Sequence, residues 1–365
     1  MPTPTILVPG IKGTTLVNTN TLDFDTIWSG VQSKFESVYD LALKPDTRFE
    51  AAPRAIIERS DVEDLAYREA VLIIAHKTGS PVYIFGYDWR KSCAENGERL
   101  KAYVDLLKEK LQADRFNFVT HSMGGMVFSC FLKQLAGDYD LVEHAVLTVC
   151  PFNGSIYALV ALIVGEGGIN FPLLNSNDEF RKIARSFPSV YELLPVYPGA
   201  ITRKDGKPFD LYNPAHWQSN LAEEEMFRER LAHLKAFRVT RPAMQDLKEL
   251  PVEVRKRFVI VVAEGEMTKQ KVVVKPQDAA GRVTNFFDLD LPGTKHGDGT
   301  VPSISSTLYK REILTIGVQS KWYDRATHAF ILNDGRVQNI INRFLKDDTE
   351  HPDWWSSIGD SVRKL

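Results

Sequence analysis

The stretch Phe116-Asn117-Phe118-Val119-Thr120-His121-Ser122-Met123-Gly124-Gly125 puts a serine hydroxyl at a sharp corner of small residues. Apolar residues at Phe116, Phe118 and Val119 predict a strand before it, and Met126 to Leu132 reads as a buried helix after it. A serine between strand and helix is held clear of the backbone as a nucleophile. The N-terminal N–H groups of the helix then face any anion forming beside it. Such corners usually carry glycine two residues before the serine, and here Thr120 takes that place. Alone, Ser-x-Gly reads equally as a helix N-cap, so its chemistry depends on partners elsewhere in the chain.

A serine nucleophile needs a base for its proton and an acid to fix the tautomer of that base. In α/β-hydrolases these follow in the order Ser, Asp or Glu, His. Asp298 and His328 satisfy that order. Asp298 lies in His296-Gly297-Asp298-Gly299-Thr300-Val301-Pro302, where flanking glycines let the backbone bend and aim the carboxylate. His328 opens a loop before the closing helix. Glu264 and Glu266, after the preceding strand, are alternative acids, and His296 is close to Asp298. His121 is expected to turn its side chain away from the serine into packing.

These residues need elements that bring them together. Thr5–Val8, Val82–Phe85, Phe116–Val119, Ala145–Cys150 (stopped by Pro151), Phe258–Ala263 and Glu312–Val318 read as core strands. Helical patterns over Asp61–Thr78, Gly97–Leu111, Met126–Leu132 and Asp334–Leu345 alternate with them. The alternation predicts an α/β fold with a mostly parallel central sheet and helices on both faces. Sites on such sheets lie beyond the C-terminal strand ends. There stand Ser122, the loop Ile11-Lys12-Gly13-Thr14-Thr15-Leu16 that follows Pro9-Gly10, and the segment Tyr87-Asp88-Trp89-Arg90. A hairpin is expected from Lys271–Lys275 and Val283–Leu289.

Residues 17–60 read as irregular and lid-like. From Phe152 the texture changes to an apolar run, Tyr157–Val164, recurrent prolines and helical pieces around Glu179–Ser186 and Asn220–Leu234. We expect a core over 1–151, a largely helical cap over 152–256 whose apolar face lines an acyl pocket, a second core part over 257–345 and a polar tail over 346–365.

The chain has 365 residues, 44% hydrophobic and 25% charged, with a net charge of −2. That balance gives no electrostatic case for nucleic acid. Three cysteines match no metal spacing, and no phosphate or dinucleotide loop occurs, so neither a metal nor a cofactor is expected. The N-terminal segment lacks a basic stretch followed by an apolar one, which, with sparse cysteine, points to a cytoplasmic protein. Oligomeric state is not legible.

Five motifs in order resemble the lecithin:cholesterol acyltransferase and phospholipid:diacylglycerol acyltransferase family, which includes lysosomal phospholipase A2. They are Val8-Pro9-Gly10-Ile11-x-Gly13, Tyr87-Asp88-Trp89-Arg90, His121-Ser122-Met123-Gly124-Gly125, Gly297-Asp298-Gly299-Thr300-Val301-Pro302 and Thr327-His328. The resemblance spans residues 6 to about 345. It implies an α/β-hydrolase fold, a Ser122–Asp298–His328 triad and an oxyanion hole from the backbone N–H groups of Ile11 and Met123. It also implies a lid around Thr26-Ile27-Trp28, with Trp28 meeting the acyl chain or a lipid surface in transient contact. The substrate so implied is a carboxylic ester, a lipid or acyl ester, and the acceptor is water or an alcohol. The chain departs from the family in lacking a cysteine before Cys93 for a lid disulfide, and in carrying apolar Ile11 where the oxyanion-loop residue is often polar. Asp88 and Arg90 are expected to pair and fix their loop. A thioester or amide hydrolase with the same triad, or a non-catalytic binding protein of this fold, are the other readings.

Overall fold

The computed structural model describes residues 2–19, 25–29, 41–43, 57–165, 177–275, 286–320 and 327–365. Its elements run β1 (Thr5–Val8), β2 (Thr14–Asn18), β3 (Thr26–Trp28), β4 (Ile57–Val62), α1 (Asp64–Thr78), β5 (Val82–Ile84), α2 (Cys93–Leu111), β6 (Phe116–His121), α3 (Met123–Gln134) and β7 (Val142–Thr148). After these come α4 (Ile156–Ile163), α5 (Asn177–Ala184), α6 (Pro188–Glu192), β8 (Ile201–Arg203), α7 (Ser219–Ala222), α8 (Glu225–Lys235) and α9 (Val252–Arg255). The chain closes with β9 (Phe258–Glu264), β10 (Val272–Val274), β11 (Phe287–Asp288), α10 (Ser303–Ser306), β12 (Leu314–Gln319), α11 (Gly335–Leu345) and β13 (Val362–Lys364).

Seven strands form the central sheet in the order β13-β12-β9-β7-β6-β1-β5. All neighbours pair in parallel except β12 with β13. The alternation of strand side chains divides the core between two faces. Ile6, Val8, Ile260 and Val262 pack with Leu100 and Val104 of α2 and Val127 and Phe128 of α3. Leu7, Val259, Val261 and Val318 pack with Tyr67 and Ile74 of α1 and Ile340 and Phe344 of α11. Strands β1, β6 and β9 are buried along their whole length, and Ile6–Val8 of β1 and Phe258–Ala263 of β9 read accordingly as continuous apolar runs. From β1 the chain passes to β5 on one edge and then returns to β6 on the other side of β1. This reversal opens a crevice beyond the C-terminal ends of β1 and β6.

Three expectations need correction. Thr14–Asn18 is a strand and not a loop, and residues taken as irregular form an antiparallel sheet in the order β3-β2-β4. Its β-branched pattern was hidden by the preceding glycine, and β2 buries only alternate residues. Asp61 and Val62 belong to β4, so α1 begins at Asp64. The tail is not outside the sheet: Ile316, Gly317 and Val318 pair with Lys364, Arg363 and Val362. A charged edge strand has one apolar contact to make and offers little periodicity to read. The expected hairpin is present as the antiparallel pair β10–β11, while Val283–Asn285 lie outside the described residues. Strand β8, within the stretch 152–256, pairs with β10, so that stretch shares a small sheet with the excursion after β9. Gly167, Gly168 and Pro172 lie outside the described residues, as do Asp23 and Phe24 beside the expected lid.

Candidate active site

Ser122 sits between β6 and α3 with φ +53° and ψ −126°. A non-glycine residue there is strained. The corner is over-determined by the Ser122 N–H donating to Thr148 O at 2.9 Å and the Ser122 carbonyl accepting from Gly125 N–H at 3.0 Å. A Cβ on Gly124 would collide with the carbonyl oxygens of Val8 and Pro9, so only glycine lets α3 start this close to the end of β1. Thr120, in the usual glycine place, is fully buried, and its hydroxyl has no hydrogen-bond partner. The corner therefore closes without a glycine there.

His328 opens the short helix His328–Asn333. Its Nε2 lies 2.8 Å from Ser122 Oγ, and its Nδ1 lies 2.7 Å from Asp298 Oδ2. The other oxygen of Asp298 accepts from the N–H groups of Thr300 at 2.9 Å and Val301 at 2.7 Å. One carboxylate oxygen thus closes its own turn and the other faces the imidazole. The competing acids are engaged elsewhere. Glu264 accepts from Ser303 Oγ at 3.0 Å and pairs with Arg363 at 2.6 Å, and Glu266 accepts from Ser320 Oγ at 2.6 Å. His296 is exposed.

The loop after β1 approaches the serine closely: a Cβ on Gly10 would lie 3.0 Å from Ser122 Cβ. The Gly10 carbonyl accepts from Gly13 N–H at 3.1 Å, which orients the peptide plane carrying the Ile11 N–H. Met123, the first residue of α3, presents its N–H at the positive end of that helix. The Tyr87–Arg90 segment clamps the loop from both ends, with Tyr87 Oη donating to Pro9 O at 2.8 Å and Trp89 Nε1 donating to Thr14 O at 3.0 Å. Asp88 and Arg90 make the expected pair, bidentate and buried, at 2.9 and 2.7 Å.

Trp28 is 8% exposed and donates from Nε1 to Lys12 O at 3.1 Å, so it lies against the loop as part of the packing. Lys12, at φ +62°, lays its ammonium 4.5 Å from the Phe180 ring and 5.4 Å from the Trp28 ring. Burial pulls that amine down to about 7, while the ring faces favour its charged form.

His121 is buried, as expected, but it is not inert packing. Its Nδ1 lies 2.7 Å from Tyr67 Oη and its Nε2 lies 2.8 Å from the backbone oxygen of His328. Tyr67 comes from α1, far from any motif, and nothing in its sequence surroundings marks it. Among the described residues no group of His, Cys, Asp and Glu is arranged to hold a metal, and no helix is long and apolar enough to cross a membrane.

Comparison with solved structures finds a chain of the Tle4–Tli4 complex at a TM-score of 0.65, with 16% identity over 97% of this chain and 99% of that one. Bacillus licheniformis lipase BlEst2 in its propeptide form aligns at a TM-score of 0.46, with 14% identity over 94% of this chain and 50% of the other. The first likeness and the sheet order define the α/β-hydrolase fold. No curated protein matches significantly in sequence. Residues 68–270, more than half the chain, match the family model described as lecithin:cholesterol acyltransferase; the match contains Ser122 and stops before Asp298 and His328. The chain belongs to the lecithin:cholesterol acyltransferase family.

Proposed function

We propose that the protein is a serine esterase or acyltransferase that works through an acyl-serine intermediate on Ser122. The observation that carries this reading is the continuous hydrogen-bonded line Ser122 Oγ–His328 Nε2, His328 Nδ1–Asp298 Oδ2, at 2.8 and 2.7 Å. Family membership supports an enzyme acting on esters.

In this mechanism His328 Nε2 takes the hydroxyl proton as Ser122 Oγ attacks the ester carbonyl carbon. The carbonyl π electrons move onto oxygen, and the N–H groups of Ile11 and Met123 hold the oxyanion. When the tetrahedral adduct collapses, the C–O bond to the leaving alcohol breaks and His328 returns the proton to that oxygen. Water or a second alcohol then attacks the acyl-serine by the same path in reverse, and His328 again moves the proton. Asp298 keeps the Nδ1 proton of His328 and steadies the imidazolium. Hydrolysis and transfer differ only in which hydroxyl reaches the acyl-enzyme. The apolar residues of the stretch 152–256 that follow β7 are the acyl-chain side of the site in this reading, and the substrate is a lipid or acyl ester.

The test is a chromogenic ester assay with burst kinetics, run beside fluorophosphonate labelling. We expect a burst equal to one acyl group per chain, label on Ser122, and loss of both in Ser122→Ala. A Ser122→Ala protein that keeps the wild-type rate would sink the proposal.

A further inference from the structure

We propose that Tyr67 and His121 form a positioning relay that locks the oxyanion loop and the base loop into one register. This rests on the serine-enzyme reading above and adds to it two residues outside the triad.

The relay is a directed chain of hydrogen bonds. The Gly10 N–H donates to Tyr67 Oη at 2.9 Å. Tyr67 Oη lies 2.7 Å from His121 Nδ1, and His121 Nε2 lies 2.8 Å from the His328 carbonyl oxygen. Both ends have fixed polarity, because a backbone N–H only donates and a carbonyl only accepts. The Tyr67 hydroxyl, accepting from Gly10, gives its single proton to Nδ1. His121 is therefore the Nε2–H tautomer, and every donor in the line has an acceptor. Burial, and then the neighbouring His328, pull the His121 pKa down to about 3, so the ring stays neutral through the pH range of ester chemistry.

The geometry explains why this line bears on the reaction. The Gly10–Ile11 peptide carries the proposed oxyanion donor. Tyr67 holds the peptide before it through the Gly10 N–H, and Gly13 holds its carbonyl. At the other end, His328 is fixed at four points. Its N–H donates to Asp298 O at 3.1 Å, its carbonyl accepts from His121, Nδ1 meets Asp298 and Nε2 meets Ser122. His121 is covalently next to Ser122, so nucleophile, base and oxyanion loop are joined through one ring and one phenol. A neutral ring suits this place, since a charged one would oppose the imidazolium that forms on His328, 5.2 Å away between ring centroids.

The test uses Tyr67→Phe and His121→Gln beside wild type and Ser122→Ala. Misplacing reacting groups by about 1 Å costs roughly 10²-fold in rate. We expect kcat to fall by about 10- to 100-fold in both variants while KM stays within about 2-fold. Fluorophosphonate labelling should slow in step. Independently of any variant, ¹⁵N-detected imidazole spectra of the wild-type protein should show His121 as a neutral Nε2–H tautomer that does not titrate near pH 6.5. Unchanged kcat in both variants, a rise in KM alone, or an Nδ1–H or titrating His121 overturns the relay. If Ser122→Ala is dead in that same experiment, the serine mechanism stands without it. If Ser122→Ala is active, the parent reading fails instead. Variants that do not fold leave the spectra to decide.

Discussion

Asp298 grips His328 twice: its carbonyl accepts the His328 N–H at 3.1 Å and its carboxylate meets the His328 Nδ1 at 2.7 Å. The first contact sets the loop and the second sets the tautomer. Asp298→Asn separates them. The asparagine oxygen is held by the N–H groups of Thr300 and Val301, as Asp298 Oδ1 is now. Its NH₂ then faces Nδ1 and donates to it, moving the imidazole proton to Nε2, where it can no longer accept from Ser122. We expect kcat to fall by roughly 10⁴-fold with little change in KM. Glu264→Gln, which alters the carboxylate bound to Ser303 and Arg363, should keep its rate within about 3-fold of wild type. Steady-state kinetics of the two variants decides between the acids.

Gly124 sits where the start of α3 meets the end of β1, and an added Cβ would strike the oxygens of Val8 and Pro9. Those are backbone atoms of a buried strand end, so they cannot swing aside as a side chain would. Gly124→Ala should destabilise the fold by about 1–3 kcal/mol, the usual scale of overpacking. It should also lower kcat, because the push falls on the loop carrying Ile11. Urea unfolding followed by intrinsic tryptophan fluorescence reads the first effect, and fluorophosphonate labelling at matched folded fraction reads the second.

The parts of this fold that were legible in the sequence are those where local pattern and tertiary role coincide. A strand buried on both faces shows itself where it is a continuous apolar run, as Phe258–Ala263 is. The serine corner shows itself because close approach demands Gly124. The expectation for Asp298 rests on chain order and on the glycines of its turn, and that for His328 on chain order. The relay was illegible because its members meet across long separations: Tyr67 and His121 are 54 positions apart, and His121 and His328 are 207 apart. A tyrosine on the inner face of α1 reads as core, and its hydroxyl partner appears only when three elements pack. Strand β13 is illegible for a different reason: its pairing to β12 is made by backbone groups, which any sequence supplies.

Asp88 and Arg90 form a buried pair whose loss has a defined signature. Burial pushes the Asp88 carboxyl up, but the Arg90 charge and its hydrogen bonds outweigh this and hold it below its ordinary range. Arg90 also donates to Leu41 O at 3.0 Å and is fully buried. Arg90→Met strands the carboxylate, and breaking such a pair costs about 3–5 kcal/mol. Arg90→Lys keeps the charge but loses the planar fork that spans both carboxylate oxygens. We expect both variants to be less stable than wild type, with Met the worse, by chemical denaturation at pH 7. The Tyr87 and Trp89 contacts to Pro9 and Thr14, at the two ends of the loop after β1, lie on the same segment, so residual activity should fall with stability.

His121 sets the acid limb of stability. Its pKa is held at about 3 in the folded chain against an ordinary 6.5. Between these values the unfolded chain binds a proton that the folded chain refuses. Above about pH 6.5 the ring is neutral in both states and contributes no slope. As pH falls toward 3, folding stability is lost at about 1.4 kcal/mol per pH unit from this group, levelling off below 3. Carboxylates add their own losses lower in that range, so the informative quantity is a difference. Unfolding free energies measured for wild type and His121→Gln at pH 7.5 and pH 5 should converge as the medium is acidified, because glutamine carries no proton to refuse. Parallel curves for the two proteins would show that His121 takes up its proton over the same pH range in the folded chain as in the unfolded one, and the neutral relay would go with it.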